Sequence, residues 1–130
     1  MMSTDRDDAV RARRDDAVRA RGDVASGGGV PADEVLYVDE ILRISCAVIA
    51  GPTVVRLVGE VDATNSGALR RALARALRMD RHLVIDAGRV VFIDVSGVRE
   101  LVSFVQETSV RVHNVPSQMR RLLHMLRLGL

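Results

Sequence analysis

The chain has no tryptophan and no lysine, one tyrosine, two phenylalanines and one cysteine among its 130 residues. With so few aromatic rings, a core has to be built from aliphatic side chains, and the stacking platforms that hold single-stranded nucleic acid are missing. The lone Cys46 permits no internal disulfide, so nothing calls for an oxidising compartment. Among Ile44, Ala47 and Val48 it reads as a buried thiol. No run reaches the roughly 18 apolar residues of a membrane-crossing helix, and the N-terminus is charged where a secretory signal would be apolar. A soluble, cytoplasmic protein is expected. There is no nucleophile-elbow motif, glycine-rich phosphate loop or clustered Cys/His ligand set, and His82, His113 and His124 are scattered among different elements. The sequence therefore assigns no catalytic residue, no metal ligand and no cofactor.

What is present suits one domain with a real core. The length is too short for two, and 48% of the residues are apolar. All 19 basic residues are arginine, and the formal net charge is only +2 despite a sequence pI of about 9.4. From Arg111 onward Arg120, Arg121 and Arg127 are joined by no acidic residue, which gives the C-terminal helix a basic side. Nucleic-acid binding would also need a reading motif, and none is found.

Residues 1–33 read as a disordered tail that precedes the domain of residues 34–130. The octamer RDDAVRAR stands twice in tandem, at Arg6–Arg13 and Arg14–Arg21. Its Asp-to-Arg spacing supports transient helix by about 0.2–0.5 kcal/mol per pair, but a period of eight keeps no apolar stripe aligned. Ala25 to Gly29 reads as a flexible linker. Strands are expected over Ile41–Ile49 and Thr53–Val61, antiparallel across the Ala50-Gly51-Pro52 turn. A helix follows with Leu69, Ala72, Leu73, Ala76 and Leu77 on one face and solvated arginines elsewhere. Leu83-Val84-Ile85 reads as an interior strand covered on both faces. It is ended by an Asp86-Ala87-Gly88 turn, and a short strand runs through Ile93. A helix to about Thr108, a strand Val110–Val115 and a helix with Pro116 in its first position complete the order. That alternation implies an α/β layer with helices on a mixed sheet. Asp62, Asp86 and Asp94 all fall at strand ends.

The stretch Val90–Leu101, VVFIDVSGVREL, organises the rest. Four apolar residues are broken by Asp94-Val95-Ser96-Gly97, and apolar residues then resume at helical spacing at Val98, Leu101, Val102 and Val105. This places Ser96 in the first turn of a helix, where unpaired amides carry the positive end of the dipole. Two readings stay open on local sequence. Asp94 or Ser96 caps the helix, or Ser96 accepts a phosphate that the helix end favours.

Four signatures in order extend this: Leu57-Val58-Gly59-Glu60-Val61-Asp62; Leu83–Asp86; Phe92-Ile93-Asp94-Val95-Ser96-Gly97-Val98; and Asn114-Val115-Pro116 followed by Arg120-Arg121-Leu122-Leu123 and Gly129-Leu130. From Ile41 to its end the chain resembles the STAS-domain family, and specifically the bacterial anti-sigma factor antagonists. The resemblance implies a single STAS-like α/β domain that is not an enzyme. In that family the serine before the turn glycine, here Ser96, is phosphorylated by a kinase that is also the anti-sigma factor. The unphosphorylated form binds that kinase and frees the sigma factor, and a PP2C-like phosphatase restores it. The partner-binding surface implied here is Asp94, Val95, Gly97 and Val98 with the neighbouring loop Asp62, Ala63 and Thr64. Contact with the sigma factor is indirect, and no nucleic acid or membrane insertion is expected. Many relatives carry a second serine where this chain has Val95. Other STAS domains serve without a phosphorylation switch, as scaffolds or accessory subunits of signalling or transport assemblies, and that use is the alternative.

Overall fold

Alternate residues of the β-branched run Thr53–Val61 turn inward, with Val55, Leu57 and Val61 fully buried, and this strand forms the middle of a five-stranded sheet. The computed structural model describes residues 33–48 and 51–130. In chain order the elements are β1 (Glu34–Val38), β2 (Leu42–Val48), β3 (Thr53–Val61), α1 (Ser66–Met79), β4 (Leu83–Ile93), α2 (Val95–Thr108), β5 (Arg111–His113) and α3 (Ser117–Leu126). The strands lie side by side in sequence order. The β1–β2 and β2–β3 pairs are antiparallel, and β3–β4 and β4–β5 are parallel. The expected mixed α/β sheet with three amphipathic helices is observed. Apart from Asp33, the tandem octamer and linker expected over residues 1–33 lie outside the described residues, as do Ile49 and Ala50. No helix among the described residues is long and apolar enough to cross a membrane.

Each parallel connection runs through a helix, and right-handed crossovers advancing in one direction put α1 and α2 on the same face of the sheet. There Leu42, Ile44, Val55, Leu57 and Ile85 pack with Leu69, Leu73, Leu101 and Met119 into an aliphatic core, Cys46 included. Two of the arginines expected to be merely solvated have structural partners. Arg75 donates to the Leu36 carbonyl at 2.9 Å, and Arg70 stacks over Phe104 and pairs with Glu100 and Glu107. Val54, Arg56, Val58, Val84 and Asp86 stand half-buried on the opposite face. Double coverage of Leu83–Ile85 is therefore corrected: Leu83 and Ile85 are buried, whereas Val84 faces away from both crossover helices.

Four boundaries also differ from expectation, each for a local reason. β1 gives no period-two signal, because only Leu36 is buried and a bulge between Val35 and Tyr37 breaks the alternation. β4 is one strand where two were expected. Between the pairs Arg56/Asp86 and Val58/Arg89, and again between Gly59/Val90 and Glu60/Phe92, β4 takes one residue more than β3. Asp86-Ala87-Gly88 is thus a bulge within the strand, although the 2.9 Å hydrogen bond that the Gly88 amide donates to Asp86 Oδ1 is ordinary turn chemistry. β5 is shorter than expected because left-handed residues flank it, Ser109 (φ 63°) capping α2 and Asn114 (φ 60°) turning the chain away. Pro116 is the N-cap of α3, one position earlier than expected.

Candidate functional site

β4 ends where the Asp94 amide donates to the Val61 carbonyl at 3.0 Å. The extended backbone of Asp94 (φ −94°, ψ −176°) makes it the N-cap of α2. Its Oδ1 accepts the Gly97 amide at 3.0 Å and the Ser96 hydroxyl at 2.7 Å. The capping alternative is thereby resolved: Asp94 is the cap, and Ser96 is a donor to it. Burial pushes the Asp94 carboxyl up, but hydrogen bonds from Gly97, from the Ser96 side chain and backbone and from the Ala63 amide outweigh it and hold the pKa below the ordinary value. The carboxylate is anionic at neutral pH and fastens the first turn of α2. Glycine at 97 is required by contact, since a Cβ there would stand 2.7 Å from both Ile93 Cγ1 and Val61 Cγ1.

The structure brings most of the expected residues to one end of the sheet. Ser96, Asp94 and Asp62 are half-buried, Ala63 and Thr64 are exposed, and Val95 is 41% exposed. Gly97 and Val98 lie under the turn, Val98 only 1% exposed, so they shape the surface from beneath and add no side-chain area to it. Asp86 does not join Asp62 and Asp94. It sits within β4, where Asn114 Nδ2 donates to it at 3.2 Å and fixes the corner before α3.

Behind the surface, the fully buried Asn65 links three segments. Its Oδ1 accepts the Asp62 amide at 2.9 Å, and its Nδ2 reaches the Glu60 carbonyl at 3.1 Å and Asp39 Oδ2 at 3.2 Å. Asp62 Oδ1 in turn holds the Thr64 amide at 2.9 Å, and the Thr64 hydroxyl as well. Asp39 also accepts the Tyr37 hydroxyl (2.7 Å) and the amides of Ile41 (2.7 Å) and Leu42 (2.8 Å). With the Tyr37 hydroxyl contributing most, this network lowers the Asp39 pKa from 3.8 to about 2. A depressed carboxyl stabilises the fold above its unfolded value, and that contribution fades as pH falls from about 4 through about 2. Acid titration followed by circular dichroism should show part of the loss of stability in that window, and Asp39→Asn should remove that part.

Three further contributors escape a reading by sequence pattern. The second bulge of β4 turns Val91 (73% exposed) and Phe92 (44% exposed) outward beside the turn, where a buried strand was expected over Val90 to Ile93. Nothing in Val90–Ile93 marks this bulge, because Asp86 and Gly88 belong to the first one and read equally well as a turn. Gln118 of α3 donates to the Ile93 carbonyl at 2.8 Å and accepts the Ile93 amide at 3.0 Å, joining α3 to the base of the turn. No sequence period announces such a pairing.

The family model described as "Mlab, STAS domain" matches residues 49–129. An anti-sigma factor antagonist from Mycobacterium paratuberculosis superposes with a TM-score of 0.57 at 23% identity, over 66% of this chain and 78% of that one. The unphosphorylated form of the anti-sigma factor antagonist SpoIIAA gives 0.52 at 21% identity, over 66% and 82%. At these identities the two structures share the fold. No curated protein matches the chain significantly.

Proposed function

Because this chain belongs to the STAS-domain family, we propose that it is a non-enzymatic anti-sigma factor antagonist whose docking to an anti-sigma factor kinase is switched by phosphorylation of Ser96. The observation that carries this reading is the 2.7 Å bond from the Ser96 hydroxyl to Asp94 Oδ1 at the surface end of α2. A phosphate on Ser96 brings about −1.5 to −2 charges and removes the donor hydrogen. It is repelled by Asp94, which stays anionic, and so turns outward, away from the position of the hydroxyl. The α2 N-terminus tolerates an anion there, which lets the modification change the surface without unfolding the domain.

At this end of the sheet Val95 is exposed beside Asp94 in the turn, and Val91 and Phe92 are exposed in the strand that leads into it. Exposed apolar side chains grouped at one edge mark a protein-docking area. A basic, apolar partner surface fits it, and a new anion at its centre has to be desolvated when that partner closes. A PP2C-like phosphatase would reset the switch, and the sigma factor would be reached only through the kinase. That the two similar structures are anti-sigma factor antagonists supports this reading over a STAS scaffold without a switch.

The test is incubation with candidate anti-sigma kinases from the native host and ATP, with the phosphate located by mass spectrometry. The label is expected on Ser96 and lost in Ser96→Ala. A label that persists unchanged in that variant refutes the site.

A further inference from the structure

The face of the sheet turned away from α1 and α2 carries a second arrangement that the Ser96 switch does not use. Arg43 of β2, Arg56 of β3 and Arg89 in the first β4 bulge line a cleft of about 390 Å³ with Asp33, Ser45 and Val58. Arg43 pairs with Val58 across β2–β3, and Val58 with Arg89 across β3–β4. The two arginines therefore flank one valine, their backbones about 10 Å apart at ordinary strand spacing. Within this cleft the chain displays one bound carboxylate of its own. Both Asp33 oxygens accept from Arg56 Nη1, at 3.0 and 3.2 Å, and Asp33 Oδ2 also accepts the Ser45 hydroxyl at 3.2 Å. Among the described residues neither Arg43 nor Arg89 makes an ion pair.

We propose that this cleft is a docking site for an acidic segment of a partner protein, with carboxylates paired to Arg43 and Arg89 on either side of Val58 as Asp33 is paired to Arg56. Guanidinium forks match carboxylates in shape as well as charge. Val54, Val58 and Val84 on the same face offer an apolar floor for the stems of acidic side chains. A nucleic-acid strand fits this face less well. No aromatic ring lines the cleft for a base to stack on. The site lies on the opposite face of the sheet from the crossover helices.

Fluorescence anisotropy of the full chain at low salt tests this, with a labelled Glu/Ala peptide as probe beside a Lys/Ala peptide and an oligothymidylate of equal length. Salt-sensitive binding of the acidic peptide is expected, weakened about tenfold or more by Arg43→Gln with Arg89→Gln. Asp33→Asn should tighten it by releasing Arg56. The control Arg120→Gln with Arg121→Gln removes the same charge from α3 and should leave binding unchanged, and circular dichroism verifies that each variant is folded. The proposal is overturned if the α3 control weakens binding as much, if the oligonucleotide binds as tightly as the acidic peptide, or if the acidic peptide does not bind.

Discussion

Gly59→Ala is expected to cost the domain about 3 kcal/mol or more of unfolding free energy, the sum of a strained backbone and a clash. Gly59 lies in β3 with φ +115°, a conformation that L side chains rarely adopt. A Cβ there would fall 2.0 Å from the Ile41 carbonyl oxygen and 3.0 Å from its carbon. These are backbone atoms and cannot rotate aside. The same oxygen accepts the Glu60 amide at 2.7 Å, so any relief breaks the end of the β2–β3 pairing just where the Asp62 loop begins. Gly51 separates the two contributions. It has nearly the same φ, +114°, but nothing within 4 Å of its would-be Cβ. Gly51→Ala should show the backbone strain alone, about 1–2 kcal/mol. Urea denaturation should give a much larger fall in midpoint for Gly59→Ala than for Gly51→Ala, with little change in slope. Equal midpoints for the two variants would show that the Ile41 clash carries no weight. Against a total stability of about 5–15 kcal/mol, the Gly59 loss alone is enough to depopulate the folded state on further mild stress.

The second large effect concerns binding. Charge at position 96 is expected to weaken docking of the cognate kinase by more than about a hundredfold, or about 3 kcal/mol. The cause is the surroundings of Ser96: a depressed, anionic Asp94 in direct contact and an exposed apolar Val95 next to it in the chain. Ser96→Ala removes only one hydrogen bond at a half-buried position and leaves the Asp94–Gly97 cap in place, so its affinity should stay within about fivefold of the unmodified protein. Ser96→Glu and the phosphorylated protein should both lose binding while keeping the unmodified circular dichroism spectrum. Calorimetric titration with the purified kinase that labels Ser96 measures all three. Retained affinity in the phosphorylated protein would end the switch reading and leave the scaffold alternative.

Much of this architecture is legible in the sequence because the relevant signals are periodic. The Leu69, Ala72, Leu73 and Ala76 stripe of α1 reports one buried face and the β-branched richness of Thr53–Val61 reports a strand, and both agree with the structure. The Asp-Val-Ser-Gly turn is legible for another reason: capping is local chemistry, decided within three residues. What pattern could not supply is non-local or aperiodic. A bulge turns strand residues through an angle that no period of two contains, which hides Val91 and Phe92. Asn65 occupies a position where asparagine usually caps a helix, yet its side chain makes no capping bond and reaches back to Glu60 and Asp39 instead. Its partner Asp39 is 26 residues away, a separation no local rule spans.

The Gln118 side chain, with donor and acceptor both spent on Ile93, imitates one residue of a further strand at the place where β5 has already turned away. An open sheet margin of this kind invites a neighbouring molecule to add itself and begin a chain of copies. A single amide on the last helix occupies both backbone groups of Ile93, so at that residue the tip of β4 offers a neighbouring molecule no backbone template.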